Sequence, residues 1–461
     1  MATATLLVAI NCGSDAPLEK PPSPVTQCLD RSGTVEARDP ITRPLRVHPG
    51  NPRYFMDAAG KPVLLVGSHN WQNLQLRNDG SRPTPEFAEY LDCLDVWRHN
   101  FIRLWFWEDA RNEPLPWARI GPGNAPDGEP RFDLDHFDDA FFQRLRQRIE
   151  AARARGIYVA VMLFQGWSVE GKSAGREVWN RHPFHALNNV NGIDGDANGD
   201  GQGEEVHTLG HPEIIAIQEA YVRRVVQMLN DLDNVLYEIS NESHRESGAW
   251  QRHMVTLIRQ VEDGMPRRHP VGLTVAWPSG VNENLLQGPA EWISPNERHP
   301  AGFDYRHDPP PAAGTKVVVV DTDHLAGTPE PEWVWKTFFR GMHPIFMDPL
   351  DTTQRSEEIR TAMGNASRIA EMVDLASMVP SVTFASSRYA LVDTLDRQFL
   401  VYGPTGVVTL SLDGVPGSRS ARWIDARTGV SHEAAAIAGG QSRTVTAPFT
   451  GPGILLLGQP R

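Results

Sequence analysis

One apolar segment of this chain ends in two residues that are well suited to acid–base chemistry. The run Asn234-Val-Leu-Tyr-Glu-Ile-Ser-Asn-Glu242 is typical of a buried strand, and it ends at Asn241 and Glu242. Side chains alternate between the two faces of a strand, so Glu238, Ser240 and Glu242 share one face, whereas the apolar Tyr237 and Ile239 share the other. The polar face is therefore expected to line a common interior, with Glu242 at its rim as a proton donor.

Acid–base hydrolysis of a glycosidic bond needs a second carboxyl group, and another apolar run supplies two candidates. One carboxyl group must be protonated as the acid, and the other must be ionised as nucleophile or base. The run Lys316-Val-Val-Val-Val-Asp321 leads to Asp321 and Asp323, which have the same parity and share a face. One of them is the predicted partner of Glu242. Two acids spaced in this way can also chelate a metal ion or pair with arginine, and that alternative stays open.

Eight strand-like runs are the elements that must position these acids. They lie at residues 62–68, 101–107, 157–164, 234–242, 271–276, 292–294, 316–321 and 344–348, with helical patterns between them, for example at 87–97, 141–155 and 213–229. This alternation over about 300 residues predicts an α/β fold, a (β/α)₈ TIM barrel over residues 42–378 with enlarged loops at 108–135 and 165–210. An open doubly wound sheet is disfavoured by the count of eight. In such barrels the reactive groups follow the carboxyl ends of the strands.

Beyond residue 380 the pattern changes to short strands separated by Gly, Pro and Asp. The strands are predicted at 389–392, 399–402, 407–412, 421–424, 443–446 and 454–457. Residues 381–461 are therefore predicted to form an all-β sandwich. Its predicted role is structural, and a sugar-binding role is the alternative.

Arg103 is predicted to enter the barrel from the second strand. It has the parity of Trp105 and Trp107, whereas the residues between them are apolar and suit the helix side. A buried charge requires a partner, such as Glu238 or an acid of the seventh strand.

Hydrogen-bonding and aromatic residues recur at successive strand ends. A single histidine or tryptophan at such a place more often serves packing, but the recurrence favours a ring of groups that bind sugar hydroxyls and stack on sugar faces. Together with Asn241 and Arg103, the candidates are His69, Asn70, Trp71, Trp105, Trp107, Glu108, Gln165, Trp167, Trp277 and His324.

The segment 194–205 has the spacing of a calcium-binding loop. Oxygen ligands fall at loop positions one, three, five and twelve, and a main-chain carbonyl falls at position seven. These positions are occupied by Asp194, Asp196, Asn198, Glu205 and, for the carbonyl, Asp200. A second frame begins at Asp196, the flanking sequence lacks the helix pair of an EF-hand, and a solvated acidic loop is the plain alternative. The prediction is a structural Ca²⁺, with no cofactor needed for catalysis.

The composition restricts the class of ligand. The 461 residues include 40% hydrophobic residues and carry a formal net charge of −13. Nucleic-acid binding requires neutralisation of phosphates by Lys and Arg, so an uncharged ligand such as a carbohydrate is favoured. No segment after the leader approaches the ~20 apolar residues of a membrane span. The three cysteines, Cys12, Cys28 and Cys93, do not suggest a disulfide framework, and Cys93 is predicted to be a core thiol.

Residues 1–41 have the composition of a leader and linker. A short apolar run ends at Cys12 and is followed by a Pro-rich stretch, which favours export through a degenerate lipoprotein signal of bacterial type. The run has no basic segment before it, so a mis-assigned start or a flexible leader is the alternative.

A family resemblance rests on four segments: residues 54–67, Asn100-Phe-Ile-Arg-Leu-Trp105, Phe132-Asp-Leu134 and Tyr237-Glu-Ile-Ser-Asn-Glu242. Together they resemble the cellulase-like barrels of the clan A glycoside hydrolases, in a branch with a C-terminal collagen-binding-type β-domain. The resemblance covers residues 42–461. It implies a retaining mechanism in which Glu242 is the acid/base and Asn241 binds the sugar 2-hydroxyl.

The seventh strand departs from the family pattern. The resemblance implies a nucleophilic glutamate there, whereas this chain has Asp323 at that position and Asp321 two residues before it. Aspartate is one methylene shorter, so a wider gap to Glu242 is expected, and retention or inversion stays open. A non-catalytic carbohydrate-binding protein on a degenerate barrel is the alternative function. A metallohydrolase is disfavoured by the lack of an HExxH motif or a comparable histidine cluster.

Overall fold

The computed structural model describes residues 38–77, 86–170, 177–277, 280–297, 302, 304–395 and 397–458. The predicted leader, with Cys12 and Cys28, lies almost entirely outside the described residues, and export stays a prediction. Cys93 is buried in the core, as expected. Among the described helices, none combines the length and apolar character that a membrane crossing requires.

Eight parallel strands form a closed barrel, which confirms the predicted fold class. In chain order they are β1 Gly67–His69, β2 Phe101–Leu104, β3 Tyr158–Gln165, β4 Val235–Asn241, β5 Val271–Thr274, β6 Trp292–Ser294, β7 Val317–Asp321 and β8 His343–Met347. β3 and β4 are buried along their whole length, because one face lines the barrel and the other packs on helices. Their register pairs Gln165 with Asn241, so both residues lie at the same rim of the barrel.

Helices cover the outside of the barrel. The α-helices of the described residues are α1 Phe87–Val96, α2 Asp139–Arg153, α3 Gly166–Glu170, α4 Pro212–Leu229, α5 Gly248–Glu262, α6 Asn282–Gln287, α7 Glu332–Phe339 and α8 Gln354–Glu371. Short 3₁₀ turns lie at Trp179–Arg181, Glu204–His207, Arg245–Ser247 and Thr322–His324. The three predicted helices correspond to α1, α2 and α4, whose buried residues recur at helical spacing.

The first two predicted strands are shorter in the structure. Pro62–Val63 belongs to a three-stranded antiparallel sheet with Arg46–Val47 and Phe55–Met56, and only β1 enters the barrel. β2 ends at Leu104 because the next backbone N–H, that of Trp105, donates to the side-chain oxygen of Asn73 at 2.7 Å.

The loops after β1 and β2 contain two small antiparallel sheets. One pairs Leu76–Arg77 with Asn112–Glu113, and the other pairs Trp117–Asn124 with Pro130–Phe137. They build up one side of the barrel mouth.

The C-terminal strands form two antiparallel sheets, as the sandwich prediction requires. The strands are β9 Met378–Ser381, β10 Ala390–Asp393, β11 Phe399–Gly403, β12 Val407–Leu410, β13 Ser418–Asp425, β14 Ser431–Ala438, β15 Arg443–Thr446 and β16 Gly453–Leu457. The larger sheet has the order β9-β10-β11-β16-β13-β14, and β12 pairs with β15. One face of the larger sheet packs on the smaller sheet through Val401 and Trp423, and the other packs on the barrel, where Tyr402 stacks on Trp335 of α7.

Candidate active site

Glu242 and Asp323 face each other across the mouth of the barrel. Glu242 directly follows β4, and Asp323 lies in the 3₁₀ turn that follows β7. One carboxylate oxygen of each residue and one ring nitrogen of His324 lie within 4.8 Å of one another. The structure therefore brings together the two acids that the sequence analysis paired.

Arg103 lies beneath this pair and is completely buried. Its Nε and Nη2 donate to Glu238 at 2.8 and 2.5 Å, and its Nη1 donates to Asp321 at 2.9 Å. Burial opposes the charge of Arg103, but the two carboxylates outweigh burial and raise its pKa above the usual value. The predicted pairing of Arg103 with Glu238 and an acid of the seventh strand is confirmed.

Asp321 is fully buried among its partners. His69 contacts it through Nε2 at 2.9 Å, and Arg103 contacts it at 2.9 Å. Burial alone would raise the pKa of Asp321, but His69 and Arg103 lower it well below the usual range. The other oxygen of Asp321 accepts the backbone N–H of Asp323 at 2.9 Å. Asp321 is thus an ionised group that holds the following turn in place.

Asp323 occupies a different environment. Its Oδ2 lies 3.6 Å from Arg103 Nη1, and its side chain is 10% exposed. The pKa of Asp323 is raised well above its usual range, first by burial and then by the nearby Glu242 carboxylate. Two carboxyl groups this close are expected to hold one proton between them at neutral pH. Asp323 is carried by the 3₁₀ turn that directly follows β7.

His324 and Asn241 complete the rim between the two acids. His324 Nε2 donates to Asn241 Oδ1 at 3.0 Å, and its Nδ1 accepts from the hydroxyl of Ser294 at 2.8 Å. Burial, followed by the charge of Arg103, lowers the pKa of His324 to about 3. Arg103 also donates to Asn241 Oδ1 at 2.6 Å, which fixes the orientation of the amide. Both ring nitrogens of this neutral histidine are engaged, which disfavours His324 as a metal ligand.

The tryptophans divide into two groups by exposure. All thirteen lie within the described residues, and nine of them are buried. The four that are only partly buried each follow a barrel strand on the same side as the two acids: Trp71, Trp107, Trp167 and Trp277. Flat aromatic faces thus border the facing carboxyl groups.

Other predicted binding residues lie below the surface of the mouth. His69 stacks on Trp105 with ring centroids 5.2 Å apart, and both are buried. Glu108 is also fully buried; it accepts the backbone N–H of Gln165 at 2.9 Å and lies 3.6 Å from His182. Asn70 is half-buried and reaches the backbone carbonyl of Asp348 at 3.4 Å. In this structure these residues support the site from beneath.

Three residues that position the site were not identified from the sequence. Ser294 at the end of β6 orients His324, and Thr274 at the end of β5 accepts the backbone N–H of Glu242 at 3.3 Å. Gly166 lets α3 approach the backbone of Glu242 closely. A hydroxyl or glycine at a strand end is a weak signal in a sequence, and only the parity of β5 and β6 would have pointed to the first two.

The predicted calcium loop folds around Asp196. One oxygen of Asp196 accepts the backbone N–H of Asp200 at 2.9 Å, and the other accepts that of Gly201 at 2.8 Å. Asp194 accepts the backbone N–H of Asp196 at 3.2 Å, and Glu205 lies in the following 3₁₀ turn. Residues 200 and 201 thus wrap around Asp196 through their backbone N–H groups, and the calcium site stays a prediction.

Comparisons with known proteins bear on the fold. Neither the models of known families nor the curated proteins include a match to this chain. Among solved structures, a protein described as a glycoside hydrolase matches with a TM-score of 0.62 and 11% identity, over 92% of this chain and 99% of its own. A family 5 glycoside hydrolase from Bacteroides vulgatus matches with a TM-score of 0.61 and 13% identity, over 90% of this chain and 93% of its own. This chain therefore shares its overall fold with those two solved structures, and its own (β/α)₈ barrel agrees with the predicted fold class.

Proposed function

We propose that this protein is a glycosidase that cleaves O-glycosidic bonds in a poly- or oligosaccharide. The observation that carries the proposal is the pair Glu242 and Asp323, whose nearest oxygens lie within 4.8 Å at the ends of β4 and β7. The four partly exposed tryptophans around the pair support a carbohydrate ligand, since aromatic faces stack on sugar rings. The net charge of −13 favours an uncharged sugar.

Each acid has one role in the proposed reaction. Glu242 protonates the leaving oxygen while ionised Asp323 attacks the anomeric carbon, which forms a glycosyl ester and releases the alcohol. Glu242, now ionised, takes a proton from a water molecule. That water attacks the anomeric carbon, releases Asp323 as a carboxylate and restores the starting state. Arg103, 3.6 Å from Asp323, stabilises the ionised form needed for attack.

Retention of anomeric configuration is the expected outcome. Retaining enzymes have carboxyl groups about 5–5.5 Å apart, whereas inverting enzymes leave about 6.5–9.5 Å for a water molecule. One oxygen of Glu242 lies within 4.8 Å of one oxygen of Asp323, and this close approach favours the shorter class. The test is a panel of plant and microbial polysaccharides, with the first-formed anomer followed by ¹H NMR before mutarotation. An initial product of inverted configuration would contradict the nucleophilic role of Asp323.

A non-catalytic carbohydrate-binding protein is the second candidate. It is favoured by the aspartate at position 323 and by its raised pKa, because a protonated carboxyl group is a poor nucleophile. The same panel separates the two functions. Saturable binding of an oligosaccharide with no reducing ends released after prolonged incubation would support the binding protein, and released reducing ends would exclude it.

We also propose that the segment 194–205 binds a structural Ca²⁺, in the frame that begins at Asp196. The hydrogen bonds that wrap the loop around Asp196 support this frame, and Asn198 and Asp200 then supply positions three and five. Binding to the folded state alone stabilises it by about 2.7 kcal/mol at a hundredfold excess over Kd. Millimolar Ca²⁺ is therefore expected to raise the melting temperature by a few degrees relative to EGTA.

A matched pair of variants tests the calcium site. Asp196→Ala should abolish the Ca²⁺-dependent change in melting temperature, whereas Asp413→Ala, at an exposed acid of the C-terminal domain, should leave it unchanged. Equal melting temperatures of the wild-type protein in Ca²⁺ and in EGTA would contradict the proposed Ca²⁺ site.

A further inference from the structure

The tripeptide Gln165-Gly166-Trp167 lies against the dipeptide Asn241-Glu242. The register of β3 and β4 places Gln165 opposite Asn241, and the amide of Asn241 donates to Gln165 Oε1 at 3.4 Å. The same oxygen accepts the backbone N–H of Trp167 at 3.2 Å. The end of β3 is thus attached to the end of β4 where the proposed acid begins.

Gly166 brings the backbone of α3 into contact with that of Glu242. A Cβ atom at position 166 would lie 2.3 Å from the carbonyl oxygen of Glu242 and 2.6 Å from the Cα of Ser243, so a side chain has no room there. Glu242 has a φ of 47°, in the left-handed region that residues other than glycine rarely adopt. Such a conformation persists only where the surroundings hold it, and α3 is one of the elements that do so.

Trp167 holds the side chain of Glu242. Its indole N–H donates to Glu242 Oε2. An indole N–H can only donate, so it pairs with a carboxyl oxygen that carries no proton. The acidic proton of Glu242 is therefore directed to Oε1. The hydrogen bond also favours the ionised form of the carboxyl group over the protonated form.

We propose that Trp167 is a positioning residue for the acid/base, in addition to bordering the mouth. The indole N–H determines which oxygen of Glu242 carries the proton. It also makes the carboxyl group release that proton more readily. The inference rests on the proposed function, since it concerns proton transfer by Glu242. The positioning role requires the N–H group of Trp167, whereas a packing role would require only its aromatic ring.

Trp167→Phe separates these requirements, because it keeps a ring and removes the N–H. A hydrogen bond to a charged group contributes about 1.5–3 kcal/mol, so kcat on a glycoside with a poor leaving group should fall roughly 10- to 100-fold. The loss should be much smaller on a 2,4-dinitrophenyl glycoside of the same sugar, whose leaving group needs no protonation. The alkaline limb of the pH–rate profile should move to higher pH, because a carboxyl group without this donor keeps its proton longer.

Trp107→Phe is the matched control. Trp107 is also partly exposed and follows the neighbouring strand, but its indole N–H donates to the backbone carbonyl of Trp71 at 2.9 Å. This variant should change KM for the sugar without altering the dependence on the leaving group or the alkaline limb. An equal loss of kcat on good and poor leaving groups in Trp167→Phe would overturn the inference while leaving the role of Glu242 intact.

A measurement without substrate keeps this inference separate from the proposed function. In a ¹H–¹⁵N spectrum the indole signal of Trp167 is identified by its absence in Trp167→Phe. It should shift with pH in the wild-type protein and lose that shift in Glu242→Gln. An indole signal that titrates identically in both would refute the contact, whatever the catalytic activity. If the wild-type protein is inactive on every polysaccharide of the panel but the indole signal titrates, the proposed glycosidase function is refuted and the contact between Trp167 and Glu242 is not.

Discussion

Glu242→Gln and Asp323→Asn are each expected to lower kcat by about 10²–10⁴-fold or more on a natural glycan while leaving the fold intact. An amide matches a carboxyl group in shape but cannot donate an acidic proton or attack a carbon atom. In the proposed reaction each step uses both acids, whose nearest oxygens lie within 4.8 Å. Steady-state hydrolysis, with circular dichroism to confirm folding, measures the effect.

The two variants should differ with an activated substrate. Glu242→Gln should retain glycosylation by a 2,4-dinitrophenyl glycoside, visible as a burst of dinitrophenol, because that leaving group needs no acid. Asp323→Asn should give no burst, because the nucleophile is missing. Glu433→Gln, at a residue whose side chain is 73% exposed in the C-terminal domain, is the control for a change of charge. Full activity of either amide variant on the natural glycan would end the glycosidase assignment.

Arg103→Leu is expected to destabilise the protein by about 3–5 kcal/mol, because it leaves two buried carboxylates without their cation. Glu238 and Asp321 are both completely buried and contact Arg103 at 2.5 and 2.9 Å. Loss of the cation therefore leaves charges in a region that water does not reach. Urea unfolding followed by tryptophan fluorescence measures the change in the free energy of unfolding.

The control for this prediction is Arg422→Leu. Arg422 pairs with Glu433 at the surface, where an ion pair contributes at most about 1 kcal/mol. Comparable destabilisation by the two substitutions would contradict the account of a buried network. The Arg103 variant should also lose activity, because Asp321, which caps the turn that carries Asp323, would lose one of the partners that hold it, and Asp323 would lose a nearby cation.

The parts of the barrel that follow from side-chain periodicity were predictable. β4 is predictable because apolar and polar residues alternate along the segment that leads to Asn241 and Glu242. α4 is predictable because its buried residues recur at helical spacing. The entry of Arg103 into the barrel followed from its parity alone. These signals are local, and tertiary contacts reinforce them.

Features that depend on distant contacts were not predictable. The run at 62–68 has one continuous apolar pattern, but the chain divides it between two sheets. Glu108 is buried beside His182, which lies in a separate loop. Two strands of the C-terminal domain were missed for reasons of composition. β9 contains Pro380, and β14 is rich in alanine; both are edge strands of their sheet, where such residues are tolerated.

The hydrogen bond between Asp321 and the backbone of Asp323 has a consequence for the reach of the proposed nucleophile. It caps the 3₁₀ turn Thr322–His324, so the position of Asp323 is set by this turn as well as by the strand before it. A glutamate on the same turn would extend one methylene further, from a position at which an oxygen of Asp323 already lies within 4.8 Å of an oxygen of Glu242. The length of the side chain at position 323 and the shape of the turn therefore constrain each other.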